Sequence, residues 1–208
     1  MENNYQKQIE ERITNSEKGS MFIPSDFSDI ADTNAVRKAL SRLQERKIIR
    51  RVIRGVYEYP EYSSFLGEYV TPSPDKVAHA LARNYGWTIV PSGDTALNML
   101  GMSTQVSAAW TYVSDGPYKE YGFDKVVLRF KHTTCKDLSK VSYKTMLLVQ
   151  AIKTIGKENF DEKAVKKIAK TLSNDEKSAV LIEAKYITAW VYSIIKKICN
   201  GGEIPWGK

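Results

Sequence analysis

The residues with the clearest chemical potential in this chain of 208 residues lie between Thr33 and Tyr57. The stretch holds eight basic side chains and one acidic one, Glu45, so its net charge is +7, equal to the formal charge of the whole chain. Such a local excess of cations is typical of a surface that binds a polyanion. The basic residues are Arg37, Lys38, Arg42, Arg46, Lys47, Arg50, Arg51 and Arg54.

The first half of this stretch predicts an amphipathic helix over residues 34–46, capped by Asp32 or Thr33. Val36, Leu40 and Leu43 recur at helical spacing and form one apolar stripe. The opposite face carries groups suited to a DNA major groove, because Arg and Lys donate to guanine and Asn pairs with adenine. Recognition helices enter the groove by their N-terminal half, so the earliest residues are the predicted base readers. The predicted DNA contacts on this helix are the base readers Thr33, Asn34, Arg37 and Lys38, followed by Ser41, Arg42 and Arg46.

The second half of the stretch predicts a two-stranded hairpin, residues 48–53 and 56–59, because Ile, Val and Tyr dominate it. Arg54 and Gly55 form the predicted turn, where glycine tolerates a positive φ. The predicted contacts of this hairpin are with DNA phosphates, which position a protein without reading the sequence. The residues are Arg50, Arg51 and Arg54.

The elements before the basic stretch complete a recognisable order. Apolar residues at four-residue spacing predict a first helix over residues 4–14. Ser25 is the predicted cap of a second helix, with Phe27 and Ile30 facing the core. Three short helices followed by a basic hairpin are the order of a winged helix-turn-helix. We therefore predict that residues 1–60 form a DNA-binding domain of this type.

The remainder predicts a connector, residues 61–75, and one mixed α+β domain, residues 76–208. Asp75 is the predicted cap of the first helix of that domain. Long helices end the chain, and the last one, residues 175–199, has the spacing of a core helix. The predicted fold class is therefore α+β. The predicted elements are helices 75–85 and 95–100, strands 87–90, 108–113 and 125–131, and helices 143–155, 161–172 and 175–199.

Patterns for catalysis or metal binding are sparse, since the chain holds two histidines and two cysteines. His132 and Cys135 have a spacing that could bring two metal ligands, or a cysteine and its base, together. A structural zinc site needs four ligands, and no orienting group accompanies a Cys–His pair here. We therefore expect no catalytic residue, no metal and no cofactor, and we do not expect an enzyme.

The bulk features favour a cytoplasmic protein. Two cysteines are too few for a disulfide framework, and the polar N-terminus lacks a secretory signal. The most apolar helical stretch, residues 186–195, is about half the length that a bilayer requires. No membrane partner is expected, and the sequence does not indicate the oligomeric state.

Two groups of residues resemble the AbiEi-type antitoxin family. The first is Gly19-x-x-Phe22, Asp26-Phe27, the run from Ala35 to Leu43, Ile49-x-Arg51 and Arg54-Gly-Val-Tyr57. The second is the run from Pro91 to Gly101, which is similar to the family's SG-x-x-AL-x-x-LG signature. The resemblance implies a bacterial regulator from a type IV toxin–antitoxin, or phage-resistance, operon. Its winged helix would repress its own promoter by binding operator repeats in double-stranded DNA. Its C-terminal domain would counteract a nucleotidyltransferase-like toxin without forming a stable complex with it.

Two other classes of function stay open from the residues alone. The winged helix could be a protein-interaction module whose basic hairpin docks on an acidic partner, and such a module would not bind duplex DNA. The chain could also be an enzyme acting on nucleic acid, with His132 or Cys135 as a catalytic residue. Replacing both of those residues without loss of function would exclude that enzyme.

Overall fold

The computed structural model describes residues 2–105, 107–133 and 141–200. The chain divides into two compact units, Met1–Trp87 with Glu120–Leu128, and Thr88–Lys119 with Arg129–Lys208. Helices and small sheets form the first part of the chain, and a four-stranded sheet and further helices follow. The predicted α+β class is confirmed. The predicted domain boundaries at residues 60 and 75 stay predictions.

The first unit is built around a winged helix. A three-stranded sheet in the order β1-β3-β2 pairs antiparallel, with Met21 opposite Glu58 and Arg51 opposite Tyr57. Strand β1 precedes the helix of residues 33–45 and pairs with the hairpin that follows that helix, which is the winged-helix arrangement. The elements are α1 (Glu2–Thr14), β1 (Met21–Phe22), a 3₁₀ turn (Pro24–Phe27), α2 (Thr33–Glu45), β2 (Arg50–Ile53), β3 (Val56–Glu58), β4 (Tyr62–Ser63), β5 (Glu68–Tyr69) and α3 (Pro74–Tyr85).

Helix α2 begins and ends through defined local bonds. Asp32 caps it, because one carboxylate oxygen accepts from the backbone N–H of Asn34 at 2.8 Å and of Ala35 at 3.0 Å. The helix closes where the N–H of Ile48 donates to the carbonyl of Leu43 at 3.0 Å. Lys47, the residue before Ile48, has a φ of +58°. This is a Schellman ending with lysine where glycine is usual.

The apolar stripe of α2 lies in the core of the first unit. Val36, Leu40 and Leu43 are fully buried, as the helical spacing predicts. They pack with residues from α1, the 3₁₀ turn and the strand region, which fixes α2 by one face and leaves the other exposed. The partners include Ile9, Ile13, Phe22, Phe27 and Ile49.

Two predictions about local structure in this unit are wrong. The second helix, predicted to begin at Ser25, is a single 3₁₀ turn, because Pro24 opens it and Asp32 already caps α2. The carboxylate of Asp26 accepts from the N–H of Ile23 at 2.9 Å and closes this turn. Helix α3 is capped by Ser73 rather than Asp75, since Pro74 occupies the first helical position.

The second unit contains most of a four-stranded sheet and the C-terminal helices. The strand order is β6-β7-β9-β8, with Ile89 of β6 opposite Ser114 of β7. A buried cluster joins the helices, with Leu148, Ile152, Ile168 and Ile195 among its members. The elements that follow α3 along the chain are β6 (Ile89–Pro91), α4 (Asp94–Met99), β7 (Trp110–Ser114), β8 (Lys119–Phe123), β9 (Val126–His132), α5 (Tyr143–Ile155), α6 (Glu162–Ala169), α7 (Asn174–Glu183), a second 3₁₀ turn (Ala184–Tyr186) and α8 (Ala189–Cys199).

The single helix predicted over residues 175–199 is wrong, because the chain breaks it into α7 and α8. After the second 3₁₀ turn, Ile187 adopts extended backbone angles and Thr188 has a non-helical ψ of 129°. Both are β-branched, a class that favours extended backbone. Val180 of α7 and Val191 of α8 are nevertheless both buried in one cluster, so the apolar spacing continues across the break.

The remaining predicted elements overlap the observed ones, and α5 has the predicted bounds. Three features are not predicted from the sequence: strand β1, the β4–β5 hairpin inside the expected connector, and strand β8. Short two-residue strands such as β4 and β5 carry too few residues for a periodic signal.

Candidate nucleic-acid interface

Helix α2 and its C-cap expose every side chain that the sequence predicts for DNA contact on this helix. These residues lie outside the buried stripe of the helix. They are Thr33, Asn34, Arg37, Lys38, Ser41, Arg42 and Arg46.

The wing is the turn that joins β2 to β3. Ile53 pairs with Val56, so Arg54 and Gly55 form the two-residue turn that the sequence predicts. Gly55 has a φ of +82°, a conformation that strains any other L-residue. Arg51 and Arg54 are exposed on this hairpin.

A groove of about 440 Å³ lies between α2, the wing and the end of α3. Predicted DNA contacts from two separate elements converge on it, Arg37 and Ser41 from α2, and Arg51 and Arg54 from the hairpin. The groove thus combines hydrogen-bond donors with positive charge at a concave surface. Its other lining residues are Pro24, Gly55, Tyr57, Asn84 and Tyr85.

Four cations of this surface are uncommitted. Among the described residues, the side chains of Arg37, Lys38, Arg51 and Arg54 form no hydrogen bond or ion pair. The charge of Lys38 still acts on its surroundings. The pKa of Asp32 lies below its usual value, mainly through the N–H groups of Ala35 and Asn34 and to a smaller extent through Lys38. Cations without partners inside the fold are free to bind an anion.

The other three predicted cations have partners inside the first unit. Arg42 donates to the side-chain oxygen of Gln6 at 2.9 Å. Arg46 donates through both terminal nitrogens to Glu10, which raises the pKa of its guanidinium. Arg50 donates to the carboxylate of Glu58 and to the carbonyl of Val70. Their contacts with DNA stay predictions, and each arginine would have to share or release a partner to make them.

Helix α3 supplies two groove residues that the sequence did not predict. Asn84 and Tyr85 are its last polar side chains, and the ring of Tyr85 stacks on Trp87 with centroids 4.7 Å apart. Asn84 also lines a neighbouring cavity of about 210 Å³, which reaches Thr33 at the start of α2. The prediction ended the DNA-binding domain at residue 60, so it did not consider α3. Polar residues at the end of a helix with a buried stripe were the available signal.

The candidate catalytic residues lie elsewhere or outside the described part of the chain. His132 lies in the second unit, where its Nδ1 is 2.8 Å from the carbonyl oxygen of Gly116. Cys135 lies outside the described residues. Within residues 2–105, 107–133 and 141–200, no three His, Cys, Asp or Glu side chains are grouped so that they could hold a metal ion. The same ranges contain no helix that combines the length and the apolar character needed to cross a membrane.

Comparisons with known proteins give a family without a known activity. The profile described as "Family of unknown function (DUF6088)" matches residues 8–180. No curated protein matches the chain. A solved structure, "Crystal structure of RV2827C protein from Mycobacterium tuberculosis", is similar with a TM-score of 0.44 and 11% sequence identity, over 97% of this chain and 78% of that one. Because the profile spans more than half of its residues, the chain belongs to the DUF6088 family of unknown function.

Proposed function

We propose that this protein binds double-stranded DNA through α2 and the wing and represses transcription. The observation that carries the proposal is the convergence of Arg37 from α2 with Arg51 and Arg54 from the hairpin on one groove. These three guanidinium groups have no partner among the described residues, so phosphates or base edges can satisfy them.

The roles of the two elements follow from their shape. Helix α2 is buried on one face and polar on the other, which suits insertion into the major groove. Arg37 and Lys38 lie in its first two turns and would contact base edges, together with Thr33 and Asn34. The wing projects Arg51 and Arg54, whose charges would bind phosphates and set the orientation of the protein.

We propose further that the protein is the autoregulating antitoxin of a type IV toxin–antitoxin operon. The support is the resemblance of its residues to AbiEi-type antitoxins, in the winged helix and in the run from Pro91 to Gly101. That run extends from the last residue of β6 through α4 in the second unit. In this proposal the C-terminal part counteracts a nucleotidyltransferase-like toxin without a stable complex. The protein then acts in the cytoplasm, as a regulator and not as an enzyme.

DNA binding is tested by fluorescence anisotropy with duplex DNA from upstream of the gene and with random duplex DNA. We expect Arg37→Ala and Lys38→Ala to lose discrimination between the two duplexes. We expect Arg51→Ala and Arg54→Ala to weaken binding to both duplexes alike. The slope of log K against log salt concentration should become shallower by about 0.9 for each lost contact. Lys163→Ala, an exposed lysine of α6, is the control and should bind like the wild type.

A wild-type protein that binds neither duplex at low salt would overturn the proposal. The basic surface would then favour docking on an acidic protein partner. Unchanged specific binding in all four variants would also remove α2 and the wing as the interface.

The antitoxin role is tested by co-expression with the nucleotidyltransferase-like protein encoded beside it. We expect the wild type to restore growth, and a variant with both Arg37→Ala and Arg51→Ala to restore it equally. The second result is expected because neutralisation belongs to the C-terminal part. The lack of such a neighbouring gene, or of growth rescue, would defeat the antitoxin proposal and leave DNA binding untouched.

A further inference from the structure

We propose that α3 completes the DNA interface, with Asn84 binding the phosphate strand that passes between α2 and the wing. This inference rests on the proposed DNA binding and extends it beyond the winged helix. Asn84 is the one side chain of α3 that lines both the 440 Å³ groove and the 210 Å³ cavity. It therefore lies between the N-terminal half of α2 and the hairpin turn.

The amide of Asn84 lies against the tip of the wing. A methyl group built on Gly55 would sit 3.6 Å from both Oδ1 and Nδ2 of Asn84. The side chain of Asn84 forms no hydrogen bond among the described residues, and it is half-buried. A half-buried amide with free donors beside uncommitted guanidinium groups is suited to receive a phosphate oxygen.

Helix α3 is held firmly enough to present this amide. Arg83, next to Asn84, donates to the carbonyl of Met21 at 3.3 Å and to the carboxylate of Asp26 at 3.2 Å. At the other end of the helix, the ammonium of Lys76 donates to the carbonyl of Gly19 at 3.3 Å. These bonds tie α3 to β1 and to the 3₁₀ turn, and a fixed donor loses little entropy on binding.

The position predicts contact with a phosphate and not with a base. A recognition helix and a wing contact DNA on two sides of a sugar–phosphate strand, and Asn84 lies between them. Its contribution should therefore be equal for all sequences. Because asparagine is neutral, its loss should not change the number of counterions released.

Two substitutions of Asn84 in the full-length protein test the inference by anisotropy on operator and random duplexes. We expect Asn84→Ala to weaken both by the same factor, about five- to tenfold, with an unchanged salt slope. We expect Asn84→Lys to tighten both and to steepen the slope by up to about 0.9. A gain of affinity cannot come from misfolding, so the lysine variant decides the question if the alanine variant is unstable.

Asn15→Ala and Asn15→Lys, at an exposed position that lines neither cavity, are the matched controls. Variants of Asn84 that bind like these controls, while Arg51→Ala still loses affinity, would overturn the role of α3 and leave DNA binding intact. A loss confined to the operator would overturn the assignment to a phosphate. Failure of the wild type to bind any duplex would instead remove the proposed function itself.

Discussion

Arg46 and Glu10 are joined by a pair of parallel hydrogen bonds, Nη1 to Oε2 at 2.6 Å and Nη2 to Oε1 at 2.8 Å. The pair fastens the C-terminal end of α2 to α1. It also places a negative charge beside a cation that the sequence predicts to bind DNA. On α2, Arg37 and Lys38 are therefore the cations whose side chains have no such partner among the described residues.

Glu10→Gln should strengthen DNA binding. The substitution removes the negative charge that offsets Arg46, so the guanidinium can attract a phosphate. We expect tighter binding to operator and random duplex alike, with a salt slope steeper by up to about 0.9. Titrations by anisotropy at several salt concentrations measure both quantities.

Glu17→Gln is the control for that prediction, because it changes the net charge equally at an exposed position whose side chain forms no ion pair among the described residues. Equal effects of the two substitutions would mean that only net charge matters. An unchanged slope in Glu10→Gln would mean that Arg46 does not reach DNA.

Arg50→Met should destabilise the fold more than it weakens DNA binding. The side chain of Glu58 is 3% exposed, and the substitution leaves its carboxylate without the cation that it contacts. Removing one partner of a fully buried ion pair costs about 3–5 kcal/mol. Because Arg50 itself is 31% exposed, we expect a smaller loss, about 2 kcal/mol, in the free energy of unfolding measured with urea.

Arg51→Met is the matched control on the same strand, where the side chain is exposed. It should change stability by less than about 0.5 kcal/mol while it weakens DNA binding. Adding Glu58→Gln to Arg50→Met should recover part of the lost stability, since a neutral amide is less costly to bury than a charge. No recovery in the double variant would contradict the electrostatic explanation.

Asp32 should make the free energy of unfolding fall as the pH is lowered into the acid range. Its pKa is lowered by the N–H groups of Ala35 and Asn34, so the unfolded chain binds a proton more readily than the folded one. The stability that Asp32 contributes is fully present above its pKa in the unfolded chain, near 3.8. It is lost as the pH falls through the lower pKa of the folded protein. Urea unfolding between pH 7 and pH 3 measures the loss.

Asp32→Asn separates the titration from the cap, since asparagine also caps helices but carries no ionisable group. We expect a smaller fall in stability between the two pH values than in the wild type. An identical fall would assign the acid sensitivity to other carboxylates, such as Asp29, whose pKa is lowered by Arg12.

Lys47→Gly should stabilise the protein. Lys47 has a φ of +58°, which is strained for a residue with a Cβ and unstrained for glycine. We expect a gain of about 0.5–1 kcal/mol in the free energy of unfolding, partly offset by the greater freedom of glycine in the unfolded chain. Lys47→Ala removes the same charge and keeps the strain, so it should bring no such gain. Equal stabilities in the two variants would contradict the backbone explanation.

The sequence by itself determined the elements whose signals are local. The spacing of Val36, Leu40 and Leu43, with the cap at Asp32, predicted α2 and its exposed face. The turn at Gly55 predicted the wing, and the predicted bounds of α5 match the observed ones. Periodicity, capping and turn chemistry depend on residues within a few positions, so a linear pattern suffices.

Only the tertiary structure decided which cations stay uncommitted and what surrounds them. Arg42 and Arg46 find partners 36 residues away in α1, and Arg50 finds Glu58 across the hairpin. Asn84 reaches the wing from α3, far along the chain from Gly55. The break between α7 and α8 belongs to the same class, because the apolar spacing continues across it. Contacts between distant residues depend on how elements pack, and a local pattern in the sequence does not say which distant residues meet.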